Sequence, residues 1–203
     1  MANTSRANGL RPVDFIGNPY CGKVGTYMLL ASQASAYYTY QPVKLLSASN
    51  SQGLQVVTAL TGNGDASIPV GVIVGFSINP LDLNLAGSNR RAASTERYVY
   101  VADSPDQLFE IQEDATGGAA ASSASGKNAT LVGAGTGSDT TGFSNAQLDS
   151  SSIGVSASYI LKIIGFSRRY DNEVSVSYAK LIVKFNHHAR ATGTTAGGGV
   201  VGV

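Results

Sequence analysis

The segment Arg90–Asp114 constrains the fold more than any other part of this chain. Within it, Arg97–Ala102 alternates with a period of two and is rich in aromatic and β-branched residues, which predicts a β-strand. Asp103–Asp106 follows and contains Pro105, a residue suited to the second position of a four-residue turn, and this favours a type I turn. Gln107–Glu113 alternates again and predicts a second strand. The segment therefore predicts a β-hairpin beside which the other strands are arranged.

Strand patterns recur along the rest of the chain. They cover Tyr27–Leu30, Pro42–Leu46, Leu54–Leu60, Val70–Phe76, Tyr159–Phe166 and Tyr178–Phe185. The composition agrees with strands and loops, because 24 Gly and many Ser, Thr and Asn residues disfavour helices. Short strands without helical spacers predict an all-β fold, either an antiparallel β-barrel or a sandwich, with long irregular loops, an extended N-terminal arm and little helix.

Two strand patterns carry more detail. Val70–Phe76 is apolar on both faces, which predicts a central strand, and its glycines at 71 and 75 indicate bulges or close backbone packing. The pattern Tyr178–Phe185 places Lys180 and Lys184 on one face and apolar residues on the other. Both strands are therefore expected to contribute to the core.

The predicted domain organisation has three parts. Residues 1–25 are expected to form an extended N-terminal arm, because their apolar residues are few and scattered. Residues 26–190 are expected to form a single β domain, and residues 191–203 a flexible C-terminal tail. Within the domain, a stretch at about 115–142 is rich in Gly, Ala and Ser, and it predicts a long exposed excursion with a small hairpin around residues 129–133 and little core.

Charge and targeting signals exclude several classes of function. The formal net charge is +1, so the chain lacks the basic footprint of a dedicated nucleic-acid binder. It also lacks a secretory signal and any apolar run of about 18 residues, so we expect a soluble protein made in the cytoplasm and no membrane partner. Cys21 is the only cysteine, which rules out an intrachain disulfide.

The sequence predicts no catalytic, cofactor-binding or metal site, and hence no enzyme. His187 and His188 are adjacent, so on a strand they point to opposite faces and cannot both ligate one ion without distortion. No catalytic signature surrounds Cys21, which is interpreted as structural. The acidic residues of Asp103–Asp114 lack the spacing of a calcium loop and are interpreted as a solvated hairpin. The pair Arg168–Arg169 is interpreted as surface charge.

Several short pieces, in order along nearly the whole chain, together resemble a family of tailed-bacteriophage head proteins described as capsid decoration, cement or structural proteins. The pieces are Met1-Ala2-Asn3, Gly9–Val13, Asn18-Pro19-Tyr20, Gly71, Val74-Gly75-Phe76, Leu83-Asn84-Leu85, Arg91–Thr95, Arg97-Tyr98-Val99, Leu108–Gln112, Gln147–Ser150, Asp171-Asn172-Glu173 and Ala179–Val183.

The resemblance implies a virion structural protein that binds the exterior of an icosahedral head and cements or decorates neighbouring capsid subunits. It implies assembly in the host cytoplasm, the major capsid protein as partner, and self-association, with a trimer favoured over a dimer because closed assemblies match the axes of the shell. In this interpretation residues 3–13 of the arm become ordered against a neighbouring subunit. The expected capsid or subunit interface comprises Asn3, Arg6, Arg11, Pro12, Tyr20, Tyr38 and Arg91.

The alternative function is a carbohydrate-binding β module displayed on the virion for adhesion. A sugar site presents exposed aromatic side chains in a groove, and the cluster Tyr37-Tyr38-Thr39-Tyr40 is the candidate for such a surface. The other interpretation of the same cluster is aromatic packing at a subunit interface. Glycan-array binding that is lost on replacement of Tyr38 would favour the carbohydrate-binding interpretation.

Overall fold

The structure, a computed structural model, describes residues 3–19, 21–49, 53–61, 68–77, 88–191 and 202. Regular structure in these residues is almost entirely β, with two 3₁₀ turns at Ser122–Ala124 and Ser150–Ser152, so the predicted all-β fold with little helix is confirmed. In chain order the strands are β1 (Arg11–Phe15), β2 (Asn18–Pro19), β3 (Gly25–Leu29), β4 (Tyr37–Tyr38), β5 (Pro42–Ser49), β6 (Gln55–Ala59), β7 (Pro69–Phe76), β8 (Arg90–Arg91), β9 (Arg97–Ala102), β10 (Gln107–Gln112), β11 (Asn128–Ala129), β12 (Leu131–Val132), β13 (Gln147–Leu148), β14 (Leu161–Phe166) and β15 (Lys180–Phe185).

The strands form a closed barrel and a separate six-stranded sheet. The barrel has the order β3-β6-β5-β7-β9, and its pairs are antiparallel except for β3 with β6. The sheet has the order β11-β14-β15-β10-β1-β2 and is antiparallel throughout. Two small ribbons, β4 with β8 and β12 with β13, complete the β structure of the described residues.

The predicted hairpin is wrong, although both of its strands exist. β9 pairs with β3 and β7 in the barrel, whereas β10 pairs with β1 and β15 in the sheet. The turn between them forms as expected, with the N–H of Gln107 donating to the Ser104 carbonyl at 3.2 Å. It carries the chain from one layer to the other instead of pairing its flanking strands. Alternation identifies a strand but does not identify its partner.

Two detailed strand predictions are confirmed. β7 lies between β5 and β9, with register shifts opposite Gly71 and at Gly75. A Cβ on Gly71 would lie 2.3 Å from the Ala102 carbonyl oxygen, so the close approach of the two strands requires glycine. On β15, apolar residues from Leu181 to Phe185 are buried at alternate positions, and Lys180 and Lys184 lie on the opposite face.

The core has two parts. One fills the barrel and includes Tyr27, Val43 and Ile73. The other joins the inner face of the sheet, represented by Phe109 and Leu181, to barrel residues that face outward, as well as to residues of the loop between β10 and β14. The second part therefore holds the sheet against the barrel.

The excursion at 115–142 contributes to the core, contrary to the prediction. Ala120, Ala124, Ala129 and Leu131 are fully buried in the cluster beneath the sheet. Small side chains permit this packing because they let the backbone approach its neighbours closely. The predicted hairpin around residues 129–133 is also wrong, since β11 pairs with β14 and β12 pairs with β13.

The described part of the predicted extended N-terminal arm is packed on its own chain. Leu10 is fully buried, and β1 adds to the sheet beside β10. The reason is that Leu10 and Pro12 are buried and anchor the segment. The low apolar content averaged over 25 residues does not reveal these two positions. Of the predicted C-terminal tail, residues 192–201 and 203 lie outside the described residues.

Candidate binding groove

A groove of about 430 Å³, lined mostly by polar and charged residues, lies between the segment that precedes β1 and the sheet. Residues 4–11 form one wall, and residues of β10, β15 and the loop between β14 and β15 form the rest. We call this cavity the N-terminal groove. Its charged lining residues are Arg6, Arg11, Glu110, Arg169, Asp171 and Lys180.

The side chain of Gln112, the last residue of β10, holds the N-terminal wall in place. Its Nε2 donates to the Thr4 carbonyl at 2.8 Å and to the Tyr178 carbonyl at 3.0 Å, and its Oε1 accepts from the Arg6 N–H at 2.7 Å. The Thr4 carbonyl and the Arg6 N–H flank one residue, and backbone groups of this kind are those that a partner strand engages in a sheet. The carboxamide of Gln112 takes the place of such a strand.

Asn3 fixes the beginning of this wall. Its Nδ2 donates to the carbonyls of Glu173 and Val176 at 2.9 and 3.2 Å, and its Oδ1 accepts from the Glu173 N–H at 2.9 Å. These bonds tie the N-terminal segment to the loop between β14 and β15. Both walls of the groove are thereby connected at one end.

Gly9 turns the chain from the wall into β1. Its φ is +71°, and a Cβ there would lie 2.3 Å from the Tyr40 carbonyl oxygen. The next N–H, that of Leu10, donates to this same carbonyl at 3.0 Å. Glycine is needed because a left-handed conformation and a close backbone contact coincide at one position.

The opposite wall carries an ion-pair network centred on Asp171. The Arg169 guanidinium donates to both oxygens of its carboxylate, at 2.9 and 3.2 Å, and the Lys180 Nζ donates at 2.9 Å. Hydrogen bonds, the larger contribution from Arg169 and the smaller from Lys180, hold the pKa of Asp171 well below its usual range. The carboxylate therefore stays charged at acidic pH.

Glu110 extends the network to the floor of the groove. Its Oε2 accepts from the Ser167 hydroxyl at 2.6 Å, and its Oε1 lies 3.5 Å from the Nη1 of Arg169. Arg169 therefore contacts two carboxylates, and its hydrogen bonds to Asp171, together with the charge of Glu110, raise its pKa. Both acidic groups of the groove have their counter-ions on the same wall.

Arg6 and Arg11 differ from the other cations of the groove. Both side chains are exposed, and neither forms an ion pair with another described residue. Arg11 lies opposite Glu110 in the ladder between β1 and β10, yet the Glu110 carboxylate is engaged by Ser167 and Arg169. With four cationic and two anionic side chains, the groove has an excess of two positive charges.

Five of the seven predicted interface residues fall into three groups. Arg6 and Arg11 line the groove, and Asn3 anchors its wall. Pro12 is buried in β1, so it is a core contact of this chain. Tyr20 lies outside the described residues.

Arg91 is fully buried, so the prediction that it lies at an interface is wrong. Its guanidinium donates to the carbonyls of Leu30, Gln33 and Ser35 at 2.6 to 2.7 Å and to that of Thr95 at 2.5 Å. It also lies over the Tyr37 ring, 5.4 Å from its centroid. The side chain closes the loop between β3 and β4 from inside.

The tyrosine cluster is turned inward. Tyr37 and Tyr38 are buried, and Tyr40 stacks on Phe143 with ring centroids 5.5 Å apart. The Tyr38 hydroxyl donates to Asp139 at 3.0 Å. The cluster therefore lacks the open aromatic faces that a sugar site requires, and Tyr38 is a packing residue of this chain rather than an exposed interface residue.

Two of the acidic residues after β9, Asp103 and Glu113, are buried, which differs from the predicted solvated hairpin. The Asp103 carboxylate is buried, accepts from the Tyr27 hydroxyl at 2.8 Å and lies 2.8 Å from an Arg190 nitrogen. Glu113 is fully buried, where burial raises its pKa, and it accepts from the N–H of Ala120 at 2.7 Å. Within the described residues, no three His, Cys, Asp or Glu side chains are placed to hold a metal ion.

Sequence reasoning missed the network of Arg169, Asp171 and Lys180. Arg169 was interpreted as surface charge, and only its separation of two residues from Asp171 could have suggested a pair. Lys180 is close to them because Asn172 accepts from the Lys180 N–H at 2.7 Å and donates to its carbonyl at 2.9 Å. That closure of the loop on β15 depends on tertiary structure.

The fold and the groove define an all-β protein with a charged surface cavity. No helix in the described part of the chain has the length and apolar character needed to cross a membrane. Comparison with known proteins finds no matching family model, curated protein or solved structure.

Proposed function

We propose that this chain is a virion structural protein that binds the exterior of a tailed-bacteriophage head and cements or decorates neighbouring capsid subunits. Its partners are the major capsid protein and other copies of itself, with a trimer favoured over a dimer. Assembly takes place in the host cytoplasm, and the protein lies on the outer surface of the capsid. The proposal rests on the family resemblance of the sequence and on the surface features below.

The edge of the six-stranded sheet is the observation that carries the proposal. Within the described residues, β2 covers Asn18–Pro19 and pairs only with Asp14 and Phe15, so these residues provide no partner strand for the first part of β1 on that side. An exposed edge of this kind can accept a strand from another subunit through main-chain hydrogen bonds. Pro12 lies within the edge and lacks an N–H, which limits unspecific strand addition.

The loop between β14 and β15 supplies a second contact surface. Tyr170, which lies in this loop, is 94% exposed. Tyrosine and arginine are enriched among residues that dominate protein interfaces. Hydrogen bonds from Asn172 hold this loop against β15, and the Tyr170 ring stays exposed to solvent. A partner protein that covers the ring would account for this exposure.

A symmetric shell strengthens such contacts. Many copies on one particle raise the effective concentration of each contact, so a short edge and one exposed loop are sufficient for stable attachment. A small interface per copy is therefore compatible with the cementing role.

Reconstitution tests the proposal directly. We expect the purified protein, added to heads that lack it, to occupy symmetry-related positions on the outer surface in electron cryo-microscopy. Tyr170→Ala should lower the affinity for heads about tenfold without changing stability, because truncating an exposed hot-spot tyrosine removes contact area and nothing from the core. The control is Val155→Ala, which removes another exposed apolar side chain outside this loop.

Absence of head binding would overturn the proposal. Glycan-array binding without head binding would instead favour the carbohydrate-binding function.

A further inference from the structure

We infer that the N-terminal groove binds an acidic peptide segment of a partner protein, with Arg6 and Arg11 as the residues that recognise its carboxylates. That the segment belongs to a head subunit rests on the proposed function. The chemistry of the ligand rests on the groove alone.

The charges of the N-terminal groove are balanced on one wall and unbalanced on the other. Asp171 and Glu110 are neutralised on their own wall by Arg169 and Lys180. Arg6 and Arg11 remain exposed on the facing wall without an ion pair among the described residues. A guanidinium binds a carboxylate through two parallel hydrogen bonds, so each of these arginines offers a carboxylate site.

The N-terminal wall also offers backbone and side-chain groups that can bond to a peptide main chain. Asn8 lines the groove and is exposed, and within the described part of the chain neither its backbone nor its carboxamide makes a hydrogen bond. An incoming main chain can therefore bond to Asn8 while its carboxylates bind the arginines. A peptide gains affinity from main-chain bonds and specificity from side-chain contacts in this way.

The two carboxylates of the groove distinguish a peptide from a polyphosphate or nucleic acid. A ligand with a charge on every unit would place some of its charges near Glu110 and Asp171. A peptide can carry neutral residues at those positions and acidic residues opposite Arg6 and Arg11. The formal net charge of +1 likewise provides little long-range attraction for a polyanion.

The wall that carries Arg6 is already formed in the free protein. Gln112 and Asn3 hold it by hydrogen bonds, so binding does not have to order the segment first. A pre-formed site loses less conformational entropy on binding, and its affinity is correspondingly greater.

Peptide binding to the full-length protein tests the inference. The probe is a fluorescently labelled, end-capped peptide of alternating Glu and Thr, and its anisotropy is measured at physiological salt. We expect saturable binding that weakens as salt rises, and a loss of about tenfold with Arg6→Glu and with Arg11→Glu. Arg11→Gln serves as a second variant, because glutamate beside Glu110 would place like charges opposite each other in the ladder.

Arg168→Glu is the matched control. It makes the same change of charge at an exposed arginine that does not line the groove, and we expect affinity within about twofold of the unchanged protein. A peptide with Gln in place of Glu should not bind. Circular dichroism and thermal unfolding establish that each variant is folded.

Four results would overturn the inference: no saturable binding, equal affinity for the Gln peptide, an equal loss with Arg168→Glu, or tighter binding of inorganic polyphosphate than of the peptide. The proposed function fails separately. Head binding that persists in Arg6→Glu and Arg11→Glu would leave the virion role intact and show that the groove has no part in it. Peptide binding without head binding would support the groove as a peptide site and overturn the virion role.

Discussion

At the scale of single residues, Arg91 stabilises a loop from inside the protein. Four carbonyl oxygens accept hydrogen bonds from its guanidinium, three from the loop between β3 and β4 and one from the loop between β8 and β9. Replacement by alanine would leave these oxygens buried without donors and would also create a cavity. We expect Arg91→Ala to lower the free energy of unfolding by roughly 3 to 5 kcal/mol, measured by urea denaturation.

The control for Arg91 is Arg168, which is exposed and forms no ion pair in the described part of the chain. Arg168→Ala should change the free energy of unfolding by less than about 0.5 kcal/mol. Similar losses in the two variants would contradict a structural role for Arg91.

Because His188 is buried, the free energy of unfolding is expected to fall in mildly acidic solution. Burial lowers its pKa from 6.5 to about 4 against the opposing charge of Asp103, while Arg190 lowers it further. Between these two values the unfolded chain binds a proton that the folded chain does not, so stability falls as the pH drops from about 6.5 towards 4. The expected loss is roughly 3 kcal/mol, measured by urea denaturation across this range.

The variant His188→Asn isolates this contribution. Asparagine retains an acceptor for the Arg190 N–H, which bonds to the His188 Nδ1 at 3.1 Å, and it does not titrate. Its stability should be lower at neutral pH but nearly constant from pH 6.5 to 4.5, apart from the ordinary carboxylates. The raised pKa of Glu113 acts in the opposite direction, since protonation of that buried group favours the folded state. An unchanged pH dependence in the variant would assign the effect to other groups.

At the scale of elements, the N-terminal segment depends on one side chain. Gln112→Ala removes the hydrogen bonds to Thr4, Arg6 and Tyr178 while leaving β10 paired on both sides. We expect the Arg6 amide to exchange its hydrogen much faster and residues 3–8 to be cleaved by proteases much faster, with the rest of the domain unchanged. Peptide-resolved hydrogen exchange measures this difference.

Gln55→Ala is the matched control, because Gln55 is an exposed glutamine on a strand of the barrel. It should leave the exchange of residues 3–8 unaltered. If Gln112→Ala also leaves it unaltered, Asn3 alone holds the segment. Deletion of residues 2–13 is a poorer experiment, since it would remove the buried Leu10 and most of β1 along with the segment.

Sequence periodicity predicted most of the long strands and both faces of β15, because alternation reflects burial on a pleated surface. The groove could be predicted only in part. Arg6 and Arg11 were singled out from the sequence, whereas Gln112 was not, because a side chain that replaces a strand has no sequence signature. Its partners, Thr4 and Tyr178, lie 108 and 66 residues away.

At the scale of the whole molecule, the all-β class could be predicted and the arrangement of its layers could not. The stretch from Asp103 to Gln107 has good turn residues whether the adjoining strands pair or separate. Whether the two strands pair is decided by the barrel, because β9 already has a partner strand on each side there. Likewise, the alanines between β10 and β14 are indistinguishable from loop alanines until Phe109 and Leu161 are placed above them.

The division of the chain between barrel and sheet has a consequence for its synthesis on the ribosome. All five barrel strands lie within residues 25–102, so the barrel can close as soon as that portion has emerged. β1 leaves the ribosome before any of them, yet its partner β10 follows all of them. While the barrel forms, the nascent β1 must therefore wait for β10, with only the short β2 available as its native partner. Pro12, which withholds one backbone donor, makes that waiting strand a poorer template for joining the wrong edge.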